Sequence, residues 1–226
     1  MIELSAFLSG NPYPGRGVLC ARTLSGETVG GYFLTGRSAA SRDRALWLDG
    51  DELLVGPTGA VGHDPLRHYA AATMTSEWLV LGNGEQVGHV ATRLRAGVAP
   101  TEALGGLEYE PDPPIRTSRI TMLLGREGGT AVLGAARPSA GSRLTTNVMT
   151  LTVRDLEPGE GVLLTTYCSD GVEVSVAAPF DEVLITAQDG PQLLDHMWSA
   201  LNPDYRVAAV VIDPAKGPGS MVKVST

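Results

Sequence analysis

Ser118-Arg-Ile-Thr-Met-Leu-Leu124 and Thr130-Ala-Val-Leu-Gly-Ala-Ala136 flank the segment Gly125-Arg-Glu-Gly-Gly129. Two apolar runs of strand length around a glycine-rich, charged turn read as a β-hairpin. The same reading extends in both directions. Upstream, Glu77–Leu81 is a compact apolar run ahead of Gly82-Asn83-Gly84. Downstream, Arg143–Val153 alternates, with Asn147, Met149, Leu151 and Val153 on one side and Thr146, Thr150 and Thr152 on the other. The turn Glu157-Pro-Gly-Glu-Gly161 leads into a further strand, Val162–Tyr167. Nearer the N-terminus, Gly17–Leu24, Gly30–Thr35 and Ala45–Val55 are strand-like, and Arg206–Ile212 is expected to pair with Met221–Val224.

Helical periodicity is rarer. Pro65–Thr73 has proline at a first-turn position and an alanine run, which predicts a short helix. Glu85–Ala96 places Val87, Val90, Ala91 and Leu94 on one face, and Pro191–Leu201 does so with Leu193, Leu194, Met197 and Leu201. The sum is an α+β fold of antiparallel strands with two or three packed helices. No repeat or linker divides residues 1–226, so one domain is expected; Pro111-Asp-Pro-Pro114 is a stiff loop.

The chain has 226 residues, 43% of them hydrophobic and 19% charged, enough to bury a sizeable core. Its net charge of −8 argues against a nucleic-acid binder. No leader-like start or membrane-length apolar run is read, so a cytoplasmic location is expected, with no membrane partner. Cys20 and Cys168 are expected to be two buried thiols, since two cysteines make no disulfide framework. The four histidines lack metal-ligand spacing, so no metal is expected.

Three segments carry candidate chemistry. Gly36-Arg-Ser-Ala-Ala-Ser-Arg-Asp-Arg44 concentrates three arginines and two serines in an acidic protein. Guanidinium forks and hydroxyls suit a phosphate, with Arg37, Ser38 and Arg42 the candidates and Arg44 read as a solvated neighbour. Asn83 and Gly84 form a turn between strand and helix. There glycine permits close approach and the asparagine amide suits another amide or a base edge. The G-x-G-x-x-G spacing of a dinucleotide site is not met. Glu108-Tyr-Glu110, with Arg116 and Arg119 beyond the prolines, can supply a general acid and a general base. Tyr69 and Tyr167 are read as core or site residues.

The order of these motifs resembles the archaeal-type IMP cyclohydrolases. It runs Arg37-Ser38 and Arg42, Asp64-Pro65 with Tyr69, Asn83-Gly84, Glu108-Tyr109-Glu110, Thr117 with Arg119-Ile120, then Thr166-Tyr167. The likeness covers roughly residues 15–180 and rests on the series. It implies a four-layer αββα sandwich similar to the Ntn hydrolase fold, without an N-terminal nucleophile. It also implies closure of 5-formamidoimidazole-4-carboxamide ribotide to IMP with loss of water, the last step of de novo purine synthesis. No cofactor is implied, and a homo-oligomer, a tetramer, is. On this reading Arg37, Ser38 and Arg42 hold the phosphate, while Asn83 and Gly84 take the carboxamide or base edge. Tyr69 or Arg119 donates toward the formyl oxygen, Glu110 is preferred over Glu108 as polar partner or base, and Tyr109 and Tyr167 shape the pocket. Arg16 competes with Arg37 for the phosphate. Two other functions remain open: an Ntn-like amidohydrolase, and a non-catalytic module that binds a purine ribotide.

Overall fold

The computed structural model describes residues 1–59, 64, 66–139, 145–176 and 180–218, and the backbone of 221–224. Along the chain run β1 (Ile2–Glu3), α1 (Leu4–Ser9), β2 (Arg16–Arg22), β3 (Thr28–Thr35), α2 (Ala39–Arg42), β4 (Arg44–Asp49) and β5 (Glu52–Pro57). Next come β6 (Tyr69–Met74), β7 (Trp78–Gly82), α3 (Gln86–Arg95), α4 (Pro100–Ala103), β8 (Arg119–Gly125), β9 (Thr130–Pro138) and β10 (Thr146–Arg154). The last are β11 (Glu160–Thr165), β12 (Tyr167–Ser169), β13 (Val174–Val176), β14 (Asp181–Leu184), α5 (Gly190–Ala200), β15 (Arg206–Ile212) and β16 (Met221–Val224).

The strands form two seven-stranded sheets and a two-stranded ribbon, β12–β13. One sheet has the order β1-β14-β11-β2-β3-β15-β16, antiparallel except for the β1–β14 pair. The other is a meander, β10-β9-β8-β7-β6-β5-β4, in which chain neighbours are sheet neighbours. Short turns join β4 to β5, β6 to β7 and β8 to β9, while residues 83–118, with α3 and α4, separate β7 from β8. Gly50-Asp51 closes β4 onto β5 with Gly50 at φ +59, a left-handed angle that suits glycine.

Strand periodicity sorts the side chains into three cores. In β2 and β3, Val18, Cys20, Tyr32 and Leu34 face one way, joining Leu79, Leu81, Ile120 and Met122 of the meander in a core shared by the two sheets. Their neighbours Leu19, Ala21 and Phe33 face the other way, onto Leu4 and Leu8 of α1 and Leu193, Leu194 and Met197 of α5. On the meander, Val80, Leu123 and Val132 meet Val87, Val90 and Ala91 of α3, with Ala103 of α4 and the adjoining Leu104. Each fully buried leucine contributes about 1.5–3 kcal/mol by leaving water. The fold is therefore α+β, as expected, and α3 and α5 carry the apolar faces their spacing gives.

Three expectations are corrected. Tyr69–Met74 is strand β6 where Pro65–Thr73 was expected to be helical, Pro65 itself lying outside the described residues. Pairing to β5 and β7 decides the matter: Tyr69, Ala71 and Ala72 are buried between the sheets, and the small alanines fit there. Tertiary packing overrides the helical preference of alanine. Tyr167 begins β12, not the end of the preceding strand, because Thr166 separates it from β11. Only Cys20 is a buried thiol, its pKa pushed up to about 12 by that burial; Cys168 is exposed.

Candidate active site

The two sheets bring one set of strand ends together. Arg16 opens β2, Arg44 opens β4, Tyr69 opens β6, Asn83 follows β7, and Glu110 and Thr117 lie in the loop that enters β8 at Arg119. Gly15 makes the start of β2 possible. It has φ +75, and a Cβ there would come within 2.1 Å of Thr166 Oγ1 and 2.5 Å of Tyr167 Cδ2.

Glu110 is the centre. It is buried, its Oε1 accepts from Asn83 Nδ2 at 3.1 Å, and its Oε2 lies 3.4 Å from Arg16 Nη2. Burial raises its pKa from 4.5 to about 7; Arg16 opposes the rise, Asp112 adds to it, and Arg119 and Arg44 oppose it. A carboxyl near 7 can both take and return a proton at neutral pH. Glu108 is exposed and lines a separate hollow of about 310 Å³ with Gln86, His89 and Arg119, so two residues of sequence separate very different environments.

Asn83 is locked. Its Oδ1 accepts from Ile120 N at 2.8 Å and Gln86 Nε2 at 3.0 Å, so its Nδ2 must face Ser118 O (2.8 Å) and Glu110. Gly84 lies beneath Gln86: a Cβ there would sit 2.7 Å from Gln86 Oε1. Among the described residues, four buried polar atoms around this cluster have no hydrogen-bond partner: Arg16 Nε, Gln86 Oε1, Ser118 Oγ and Arg119 Nε. Unpaired buried polar atoms are rare, and four together mark a place built for something polar.

The positive charge of the site is buried. Burial opposes the charge on Arg16, but Glu110 and Tyr69, Tyr167 and Tyr32 more than offset it, so Arg16 holds its proton well above the usual range. Arg44 is buried, donating from Nε to Ser41 O at 2.8 Å and from Nη2 to Thr35 O at 3.3 Å. Burial lowers its pKa, with Tyr69 opposing and Arg16 adding to the fall. The expectation that Arg44 is a solvated neighbour is thus corrected. Arg119 is held from outside by Glu85, Nη2 to Oε1 at 2.8 Å.

The tyrosines form the walls. Tyr69 and Tyr32 share a hydrogen bond of 2.8 Å between hydroxyls. The Tyr167 hydroxyl bonds Thr117 Oγ1, which in turn bonds Asp112. Burial, opposed by Arg16 and the Thr117 hydrogen bond, pushes the Tyr167 pKa up to about 12. The Tyr167 ring stacks on Tyr13 at 5.7 Å, and Arg37 lies 4.8 Å over the Tyr13 ring. Arg37 therefore reaches the site through a stack. Ser38 and Arg42 are exposed on the same short segment: Ser38 caps α2 in a reciprocal pair with Ser41, and Arg42 Nη1 donates to Arg37 O at 3.1 Å. Tyr109 is half-buried next to Glu110.

Of the sequence-derived candidates, Tyr69, Glu110, Arg119, Asn83, Gly84 and Tyr167 converge, and Arg37 joins them. Tyr32, Arg44, Gln86 and Tyr13 were not singled out for the site. A signal existed for the two tyrosines only as polar-tipped rings in apolar surroundings. A larger cleft of about 710 Å³ lies at the opposite strand ends, lined by residues such as Arg22, Gly128, Asp155 and Lys216. Its cations are already engaged, Arg22 with Leu156 O and Gly26 O, and Lys216 with Asp213. The four buried polar atoms without partners among the described residues gather at the Glu110 end instead.

Among the described residues, no group of three His, Cys, Asp or Glu side chains could hold a metal, and no helix is long and apolar enough to cross a membrane. The family described as IMP cyclohydrolase-like protein matches residues 13–217. The IMP cyclohydrolase of Methanopyrus kandleri is 30% identical over 160 residues, 69% of this chain and 75% of that protein. The chain belongs to the archaeal-type IMP cyclohydrolase family, and that membership makes it a hydrolase-class enzyme.

Proposed function

We propose that this protein closes the formamide of 5-formamidoimidazole-4-carboxamide ribotide onto its carboxamide, releasing water and forming IMP as the last step of purine synthesis. The observation that carries the reading is the buried Glu110 carboxyl, raised to about 7 and held between Asn83 and Arg16. The carboxamide nitrogen is a poor nucleophile and must lose a proton as it attacks. Glu110 has the proton affinity for that task. The formyl oxygen must gain protons to leave, and Tyr69 supplies a hydroxyl beside two buried guanidiniums, Arg16 and Arg44. Arg119 adds positive charge on the other side of Glu110.

Orientation contributes as well. Holding the two arms of one molecule in line for attack is worth roughly 7–11 kcal/mol in favourable intramolecular reactions. Asn83 and Gly84 set the wall against which the carboxamide lies, and Tyr109 and Tyr167 flank the ring. Arg37, Ser38 and Arg42 hold the phosphate at the rim, with Ser38 exchanging its Ser41 acceptor for a phosphate oxygen. No cofactor takes part. The three cores support an αββα sandwich similar to the Ntn hydrolases, folded as one domain; the family resemblance favours a homo-oligomer.

The test is direct. Purified protein incubated with the formamido ribotide should yield IMP by chromatography. Saturable binding without IMP would make the chain a ribotide-binding module, and no binding would remove the nucleotide reading.

A further inference from the structure

We infer that Tyr32 is a positioning residue for this reaction: it donates its hydroxyl proton to the Tyr69 oxygen and so leaves the Tyr69 proton free for substrate. The inference rests on the cyclohydrolase reading above and concerns a residue that touches no ligand.

The argument starts from a count of protons. Each phenol has one proton to donate, and the two hydroxyls lie 2.8 Å apart. Tyr32 is fully buried in β3, and among the described residues its hydroxyl has no other partner than Tyr69. If Tyr69 donated to Tyr32, the Tyr32 proton would be left without an acceptor inside the core, which is strongly disfavoured. With Tyr32 as donor, its buried proton has an acceptor. The Tyr69 proton is then the unpaired one, on a side chain that is 7% exposed where Tyr32 is 0%. The polarity of the pair thus aims a donor out of the core.

The same arrangement supports the charge that the reaction creates. As the carboxamide nitrogen attacks the formyl carbon, one N–H proton passes to Glu110 and the Tyr69 proton passes to the formyl oxygen, which becomes a hydroxyl. In the dehydration that follows, the Glu110 proton goes to that hydroxyl, the C–O bond breaks and water leaves. The formamide nitrogen returns its proton to the Tyr69 oxygen as the C=N bond forms, so both side chains recover their starting states. Between the two steps Tyr69 is a phenolate. It is then faced by the Tyr32 O–H and by the guanidiniums of Arg16 and Arg44, both of which interact electrostatically with Tyr69 and Tyr32. These donors are fixed before the charge appears, the arrangement that stabilises a transition state without reorganisation.

Because Tyr32 acts only when Tyr69 is charged or donating, its loss should fall on turnover and not on ribotide binding. The experiment compares Tyr32→Phe, Tyr69→Phe and the double variant in IMP formation from the formamido ribotide. Tyr32→Phe is expected to lower kcat about tenfold or more with KM within about twofold of wild type. The double variant is expected to be no slower than Tyr69→Phe alone, because Tyr32 has nothing left to position. Tyr32→Met is a second non-donating variant, should the phenylalanine fold poorly, and must give the same split. An unchanged kcat in folded Tyr32→Phe or Tyr32→Met overturns the inference, as does a double variant in which the two losses multiply. A wild-type protein that makes no IMP overturns the cyclohydrolase reading itself and this inference with it.

Discussion

Replacing Glu110 by glutamine separates the buried carboxyl's charge from its shape. In the folded protein this group titrates near 7, against 4.5 for an ordinary glutamate, because burial disfavours its ionised form. The folded state therefore binds the proton more tightly than the unfolded chain. Below about pH 4.5 both states are protonated and the group has no pH-dependent penalty. As pH rises through 7, the folded state must hold a buried carboxylate, and stability is lost. Full ionisation costs roughly 3 kcal/mol at 1.36 kcal/mol per pH unit of difference, of which about 2–3 kcal/mol appears between pH 5 and 8. Glutamine can keep the Asn83 bond to Oε1, but it turns an N–H toward Arg16 Nη2, so an offset common to all pH values is expected. The assay is urea unfolding of both proteins at pH 5, 6, 7 and 8. Wild type should lose about 2–3 kcal/mol relative to Glu110→Gln across that range, and the variant should make IMP about 10²–10⁴-fold more slowly. Parallel stability curves would refute the reasoning, because Glu110 would then ionise as easily folded as unfolded.

Two further substitutions probe the rim and the turn. Arg37→Ala should weaken binding of the ribotide more than binding of the dephosphorylated riboside, measured by calorimetry, and equal losses would mean that Arg37 does not touch the phosphate. Gly84→Ala puts a Cβ 2.7 Å from Gln86 Oε1, on a side chain held by Asn83 and Ile120. Overpacking of this kind is expected to cost about 1–3 kcal/mol in urea unfolding and to lower IMP formation, whereas wild-type stability would mean that Gln86 moves freely.

The β8–β9 hairpin of the meander was legible because a short, glycine-marked turn, Gly125–Gly129, joins its two apolar runs. Helices α3 and α5 were legible because each has one apolar face. Strand β6 was not, since Ala70–Ala72 favours a helix locally and only its neighbours β5 and β7 make it extended. Short elements such as α1 and β14 have too few residues to carry a period. In the site, the local motifs were visible: Asn83-Gly84 as a turn, and Glu110 in an acidic–aromatic loop. What they touch was not. Arg16 meets Glu110 across 94 residues of sequence, and Tyr32 meets Tyr69 across 37. Arg44 looked solvated because it closes a charged run with Arg42 and Asp43, but it begins a strand whose first residue points inward. Burial of a charged side chain depends on the packing of both sheets, which no local pattern carries.

The most direct measurement is the pH dependence of IMP formation by the wild-type protein on the formamido ribotide, with Glu110→Gln alongside. With Glu110 as the base, kcat/KM should rise with pH to a plateau, with its midpoint near the free-enzyme pKa of about 7, and that rise should be absent from the variant's residual rate. A wild-type protein that binds the ribotide without making IMP, or a variant that retains the full rate and the same profile, would contradict the account.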